Sequence, residues 1–196
     1  MKFRFHFVVL CALALLFAFA CKKEETASST DTANSTTSVA ASDTSGTTTT
    51  ASPQLSDDDQ KFIQKAAVGG LAEVSLGQEM SPKAKNADVK GFADKMVTDH
   101  GKANDELKQL ASGKGITLPT ETDQEHKEAA QKVMASKNLD KAYMDAMVED
   151  HDKDVKEFED ASKSAKDADL KSWIDKTLPV LKEHQKMAHD IKGKVK

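Results

Sequence analysis

Cysteine is almost missing. The 196 residues include two, Cys11 and Cys21, and none follows. Beyond residue 21 no disulfide and no thiolate metal site can form. A folded part must therefore rest on its apolar core, or on that core together with a metal bound through other ligands. Aromatics are few as well. Five of the eight phenylalanines precede residue 20, which leaves Phe62, Phe92, Tyr143, Phe158 and Trp173 for everything downstream. Strand signals are nearly absent, so the fold class is all-α. Basic stripes with interleaved aromatics are absent too, and 28 Lys and Arg against 32 Asp and Glu leave a net charge of −4. That balance argues against nucleic acid as a partner.

Long apolar runs are also lacking. The one candidate, Phe7 to Ala20, has about fourteen residues, too few to span a bilayer as a stable helix. With Lys2 and Arg4 before it and small residues after it, it suits the core of a signal peptide over residues 1–20. The stretch Ala18-Phe19-Ala20-Cys21 resembles a bacterial lipoprotein signal, although Ala18 stands where leucine is usual. This reading makes Cys21 the lipidated first residue of an exported protein, in contact with the membrane through its anchor. Lys22 then points to the outer membrane or periplasm. The alternative is an ordinary secretory signal cleaved near Ala20 that leaves Cys21 free.

Residues 21–56 are dominated by Thr, Ser, Ala, Asp and Gly, as in "SGTTTTASP". Apolar side chains there are too scarce to offset the entropy of ordering, which predicts a disordered linker. From residue 57 to 196 the texture changes. Ser56 followed by three aspartates is a helix start, with a capping hydroxyl and acids at the positive end of the dipole. Apolar residues then recur at three and four. The pattern predicts long helices over about 57–80, 86–112, 139–164 and 167–192, the last bent by Pro179, and a short helix over about 122–136. Four long helices make an up-down four-helix bundle with alternating directions, and the short helix sits between the second and third.

What is present then stands out. "MVTDHGK" begins at Met96 and "MVEDHDK" at Met147, each with an acid and a histidine at its centre. In the second long helix Phe92, Met96, His100, Ala103 and Leu107 share a stripe. In the third, Met147, His151, Val155 and Phe158 do so. In the fourth, Trp173, Thr177, Leu181, His184 and Ala188 do the same. The first has no histidine, but "VGGLAEVSLG" places Glu73 among small residues that let a neighbouring helix come close. Each helix thus offers one polar residue to the interior: Glu73, His100, His151 and His184. Three imidazoles and a carboxylate on facing helices suit one divalent transition metal, Zn, Fe or Mn. The competing reading is three core histidines that bond to one another, to Glu73 and to water. Asp99, Asp150 and Glu183 precede the histidines and are placed either to hold them from behind or to serve as rim charges. His126 and His189 lie off the apolar stripes and read as surface residues.

The segments "GLAEVSLG", "VKGFADKMVTDHGKANDEL", "YMDAMVEDHDKDVKEFEDA" and "LPVLKEHQKMA", in that order, resemble the domain-of-unknown-function family 4142. The resemblance covers about residues 57–192. It implies a ferritin-like bundle whose inward polar positions fall on Glu73, His100, His151 and His184, and it implies no known reaction. The di-iron ferritin pattern of Glu-x-x-His pairs is not met, because Val97, Val148 and Leu181 stand three residues before the histidines. One metal ion is therefore expected rather than two. Three functions remain open: a metal-binding module for envelope metal handling or stress, a metal-free structural module of the envelope, and a metal-dependent oxidoreductase acting on peroxide or oxygen. No catalytic residue is assigned, and the reading leans away from an enzyme.

Overall fold

The computed structural model describes residues 55–195. The expected signal peptide, the lipidation site Cys21 and most of the linker lie outside the described residues.

Among the described residues five helices form: α1 (Asp57–Met80), α2 (Ala87–Gly113), α3 (Gln124–Met134), α4 (Leu139–Ser164) and α5 (Ala168–Lys192). Each begins at a polar cap. Ser56, Asn86, Asp123, Asn138 and Asp167 accept hydrogen bonds from backbone N–H groups in the first turn, which satisfies donors the helix leaves free. After α2 the chain turns at Gly115, whose φ of +71° favours a residue without a side chain. Pro179 sits inside α5, and the helix runs on through it. No strand occurs among the described residues, and none of their helices is long and apolar enough to cross a membrane.

The apolar side chains gather in two clusters. One holds Met80, Val89, Phe92, Met96, Tyr143, Met144 and Ile191. The other holds Ile63, Leu107, Val155, Phe158, Leu170 and Ile174. The order in which each helix visits them gives its direction. α1 and α5 run from the second cluster to the first, while α2 and α4 run from the first to the second. The alternating directions expected of an up-down bundle are therefore corrected to up, down, down, up. Residues 114–138, with α3 among them, carry the chain back along the bundle, so α4 starts at the end where α2 started. α1 packs on α2 and α4 on α5, while α2 meets α5 and α3 lies against α1 and α4.

Two glycines let α1 approach α2. A Cβ on Gly70 would stand 2.2 Å from Asn104 Oδ1, and one on Gly77 would stand 2.9 Å from the Ala93 carbonyl oxygen. Glycine costs up to about 1 kcal/mol in a helix relative to alanine, and close packing offsets that cost. Gly69 differs, because a Cβ there would meet nothing within 4 Å.

Candidate metal centre

Between the two apolar clusters lies a polar layer. On α1, Glu73 falls between Ala67 and Leu76. On α2, His100 falls between Met96 and Leu107. His151 lies between Val148 and Val155 on α4, and His184 between Leu181 and Ala188 on α5. The apolar period of three, four or seven residues that buries neighbours on either side also buries these four. Glu73 is 2 % exposed, His100 5 %, and His151 and His184 0 %. The three imidazole rings stand 5.2 to 5.7 Å apart, centre to centre. Phe92 packs edge-on against His151 and His184 from the side of the first cluster.

Each ring is anchored through one nitrogen. His151 Nδ1 donates to the Met147 carbonyl oxygen at 2.9 Å. A carbonyl can only accept, so Nδ1 carries the proton and Nε2 keeps a lone pair. His184 Nε2 donates to Asp99 Oδ2 at 2.9 Å. Partial burial works against the charged form of Asp99, but hydrogen bonds from His184 and Lys95 hold its carboxyl below the usual range. His100 Nδ1 faces Glu73 Oε2 at 2.6 Å. The other nitrogens, His100 Nε2, His151 Nε2 and His184 Nδ1, are buried without a hydrogen-bond partner among the described residues. Each histidine offers one ligand atom such that the three lie within 4.8 Å of one another. Nitrogens about 2.0–2.1 Å from zinc in a tetrahedron stand roughly 3.4 Å apart, so small inward rotations would close the rings on an ion.

Burial sets the charge state. It pushes His100 down to about 4 against the pull of Asp150 and Asp99. It pushes His184 down to about 4 against its bond to Asp99. It lowers His151 as well, opposed by Glu73 and reinforced by the other two histidines. Burial also drives the Glu73 carboxyl up to about 8, although His151 favours its charge. Near neutral pH the Glu73–His100 contact therefore holds one proton as a neutral pair. Glu73 Oε1 stands 3.3 Å from His151 Nε2, out of hydrogen-bonding alignment, and has no partner of its own. Buried polar groups without partners are costly. An ion held among the histidines would satisfy their three unpartnered nitrogens at once. The buried histidines, with the acids beside them, could hold a metal.

The carboxylates expected behind the histidines are distributed differently from the chain order. Asp99 holds His184 of α5, not its neighbour His100. Glu183 meets no histidine but the ammonium of Lys95 at 3.2 Å, and that ammonium also reaches Asp99 at 3.0 Å. Asp150 joins Glu73 and Asp154, whose ligand atoms again lie within 4.8 Å of one another. Asp154 had no place in the sequence reading, yet its spacing of four from Asp150 puts both on one face of α4. Burial, with Glu73 and Asp150 nearby, drives the Asp154 carboxyl up to about 9. His189 is exposed as expected and bonds Asp152. His126 is not a plain surface residue. It is half-buried, its Nδ1 bonds Asp123 at 2.6 Å, and it lines the cavities beside Glu73. Only the folding of α3 against α1 and α4 puts it there. Two cavities meet at Glu73. One of about 60 Å³ is bordered by Gly69, Gly70, His100 and Asp154. The other, of about 200 Å³, lies under α3 beside Asp150 and Met147.

A family described as a domain of unknown function, DUF4142, matches residues 44–191. The crystal structure of a DUF305 fragment from Deinococcus radiodurans is similar in fold, with a TM-score of 0.64 at 10% sequence identity; the match covers 72% of this chain and 99% of that one. At that identity the likeness concerns the fold alone. No curated protein matches.

Proposed function

The chain belongs to the DUF4142 family of unknown function, and we propose that it binds one divalent transition-metal ion at the centre of its helical bundle. His100 Nε2, His151 Nε2 and His184 Nδ1 are the nitrogen donors, and Glu73 Oε1 is the fourth ligand. The observation that carries this reading is the division of labour within each ring. One nitrogen is anchored to Glu73, Met147 or Asp99, while the other is buried, unpartnered and close to its counterparts. Metal-binding histidines are held in this way, since the outer hydrogen bond fixes tautomer and orientation. Imidazole-rich sites favour zinc, with iron and manganese as the other candidates.

The order up, down, down, up with one long crossover supports a ferritin-like arrangement of the bundle. Single-ion binding fits the missing Glu-x-x-His pairs. The role we assign is metal handling in the cell envelope. It rests on residues 1–20 acting as a lipoprotein signal and on Cys21 as the anchor, which keeps the bundle at the outer membrane or in the periplasm on a Thr- and Ser-rich tether.

Cobalt substitution tests the centre. Co²⁺ added to the metal-free chain is expected to give the intense visible bands of a low-coordinate nitrogen and oxygen site, and His151→Ala is expected to abolish them. Bands that survive in His151→Ala would overturn the assigned ligands, and a wild-type spectrum identical to aqueous cobalt would overturn the reading in favour of a metal-free structural bundle.

A further inference from the structure

We propose that Glu73, Asp150 and Asp154 form a second cation site, of oxygen-donor type, beside the histidine centre. It shares Glu73 with that centre and takes a hard divalent cation of the Mn²⁺ class. The inference rests on the metal-centre reading only through that shared residue.

Three observations carry it. One oxygen from each of the three carboxylates lies within 4.8 Å of the others. Three like charges at this range repel unless a cation or protons intervene. Secondly, Glu73 reaches the group from α1 while 2 % exposed, and its Oε1 has no hydrogen-bond partner. In the metal-free chain this buried acceptor is unpartnered at the edge of a cavity, and with both ions bound the Glu73 carboxylate would bridge them.

The third observation is the treatment of neighbouring acids. On α4, Glu149 pairs with Lys153, Glu157 with Lys65, Asp145 with Lys141 and Asp160 with Lys156. Asp150 and Asp154 lie between these pairs and take part in no hydrogen bond or ion pair among the described residues. Lys153 precedes Asp154 directly and follows Asp150 by three residues, but its ammonium goes to Glu149. The fold thus leaves Asp150 and Asp154 without an ion-pair partner among the described residues while it pairs their acidic neighbours on α4.

Oxygen donors with no nitrogen or sulfur among them select Mg²⁺, Ca²⁺ or Mn²⁺ over zinc. The cavities on both sides of Glu73 give room for the waters such ions retain. His126, fixed through its Nδ1 by Asp123 at 2.6 Å, lines both of them. The two sites would then differ in taste, with imidazoles on one side of Glu73 and carboxylates on the other.

The test uses the full chain, purified metal-free and given one equivalent of Zn²⁺, then titrated with Mn²⁺. Free Mn²⁺ is read by electron paramagnetic resonance and retained zinc by elemental analysis. The expected result is one further Mn²⁺ bound per chain. Its affinity should fall at least tenfold in Asp150→Asn/Asp154→Asn while zinc stays at one per chain. Asparagine has nearly the shape of aspartate and removes repulsion, so the variant should fold, and Asp154→Asn alone provides a second reading. Mn²⁺ that stays free in the wild type, or binds equally in the double variant, overturns the proposal. The same titration without zinc separates the two readings. Binding lost in Asp150→Asn/Asp154→Asn but kept in His151→Ala supports the carboxylate site even if the histidine centre fails. The reverse pattern places Mn²⁺ among the histidines and overturns the second site.

Discussion

At the scale of single residues, the proton between Glu73 and His100 is the most informative atom. With Glu73 up at about 8 and His100 down at about 4, the pair is neutral at pH 7 and holds one dissociable proton between its members. For His100 Nε2 to offer a lone pair, Nδ1 must carry hydrogen and donate it to an ionised Glu73. One proton must then leave. Metal binding at pH 7 is therefore expected to release one more proton per ion in the wild type than in Glu73→Gln, which has no such proton to give. Calorimetric titrations in buffers of different ionisation enthalpy measure this difference, and equal release would show that Glu73 is not coupled to the ion. These roles were only partly legible in the sequence. The 3.6-residue period turned Glu73, His100, His151 and His184 inward, because each sits three or four residues from a buried apolar neighbour. It could not say that Asp99 would serve His184 on another helix, since that depends on how α2 and α5 face each other. Nor could it bring His126 to Glu73.

At the scale of the elements, the glycines of α1 have opposite meanings. A methyl at Gly69 meets open space, so Gly69→Ala gains helix propensity without a clash and should stabilise by up to about 1 kcal/mol. A methyl at Gly77 meets the rigid backbone oxygen of Ala93 at 2.9 Å and the Val97 side chain at 3.1 Å. Gly77→Ala should cost about 1–3 kcal/mol despite the same propensity gain. Chemical denaturation of the two variants distinguishes them, and destabilisation by both would mean that α1 packs differently near Gly69. The helix boundaries followed closely from local chemistry, because the cap at Ser56 and the glycine turn at Gly115 act within one turn. The directions did not. A connection as long as residues 114–138 can either turn the chain round or carry it the length of the bundle. Only the visiting order of the two apolar clusters decides between these.

At the scale of the whole molecule, the buried charges give the metal-free bundle a stability maximum in pH. Glu73 at about 8 and Asp154 at about 9 lie above their ordinary values of 4.5 and 3.8, so the folded state keeps protons that the unfolded chain has lost. Stability therefore falls as pH rises towards those values. His100 and His184, at about 4 against an ordinary 6.5, act in the opposite sense. The unfolded chain takes up protons first, and stability falls as pH drops below 6.5. The three buried histidines outweigh the two carboxyls on the acid side, so the metal-free maximum should lie at about pH 6.5, with a loss of about 2 kcal/mol from Glu73 alone by pH 8. A bound cation holds Glu73 ionised and should flatten the alkaline limb. Denaturant midpoints at several pH values, with and without Zn²⁺, test this, and parallel limbs would contradict it. Metal binding should also raise the melting temperature. A hundredfold excess over Kd gives about 2.7 kcal/mol, or a rise of about 5–10 °C for a chain of this size, and it should vanish in His151→Ala.

The most direct test of the central claim is the metal content of the chain as the cell makes it, measured by elemental mass spectrometry after purification without a histidine tag or a chelating column. About one zinc, iron or manganese per chain, lost in the His100→Ala/His151→Ala double variant, is the predicted result and names the ion. A chain that carries no metal, and retains none after incubation with each ion and desalting, would contradict it and leave three buried histidines that serve the fold alone.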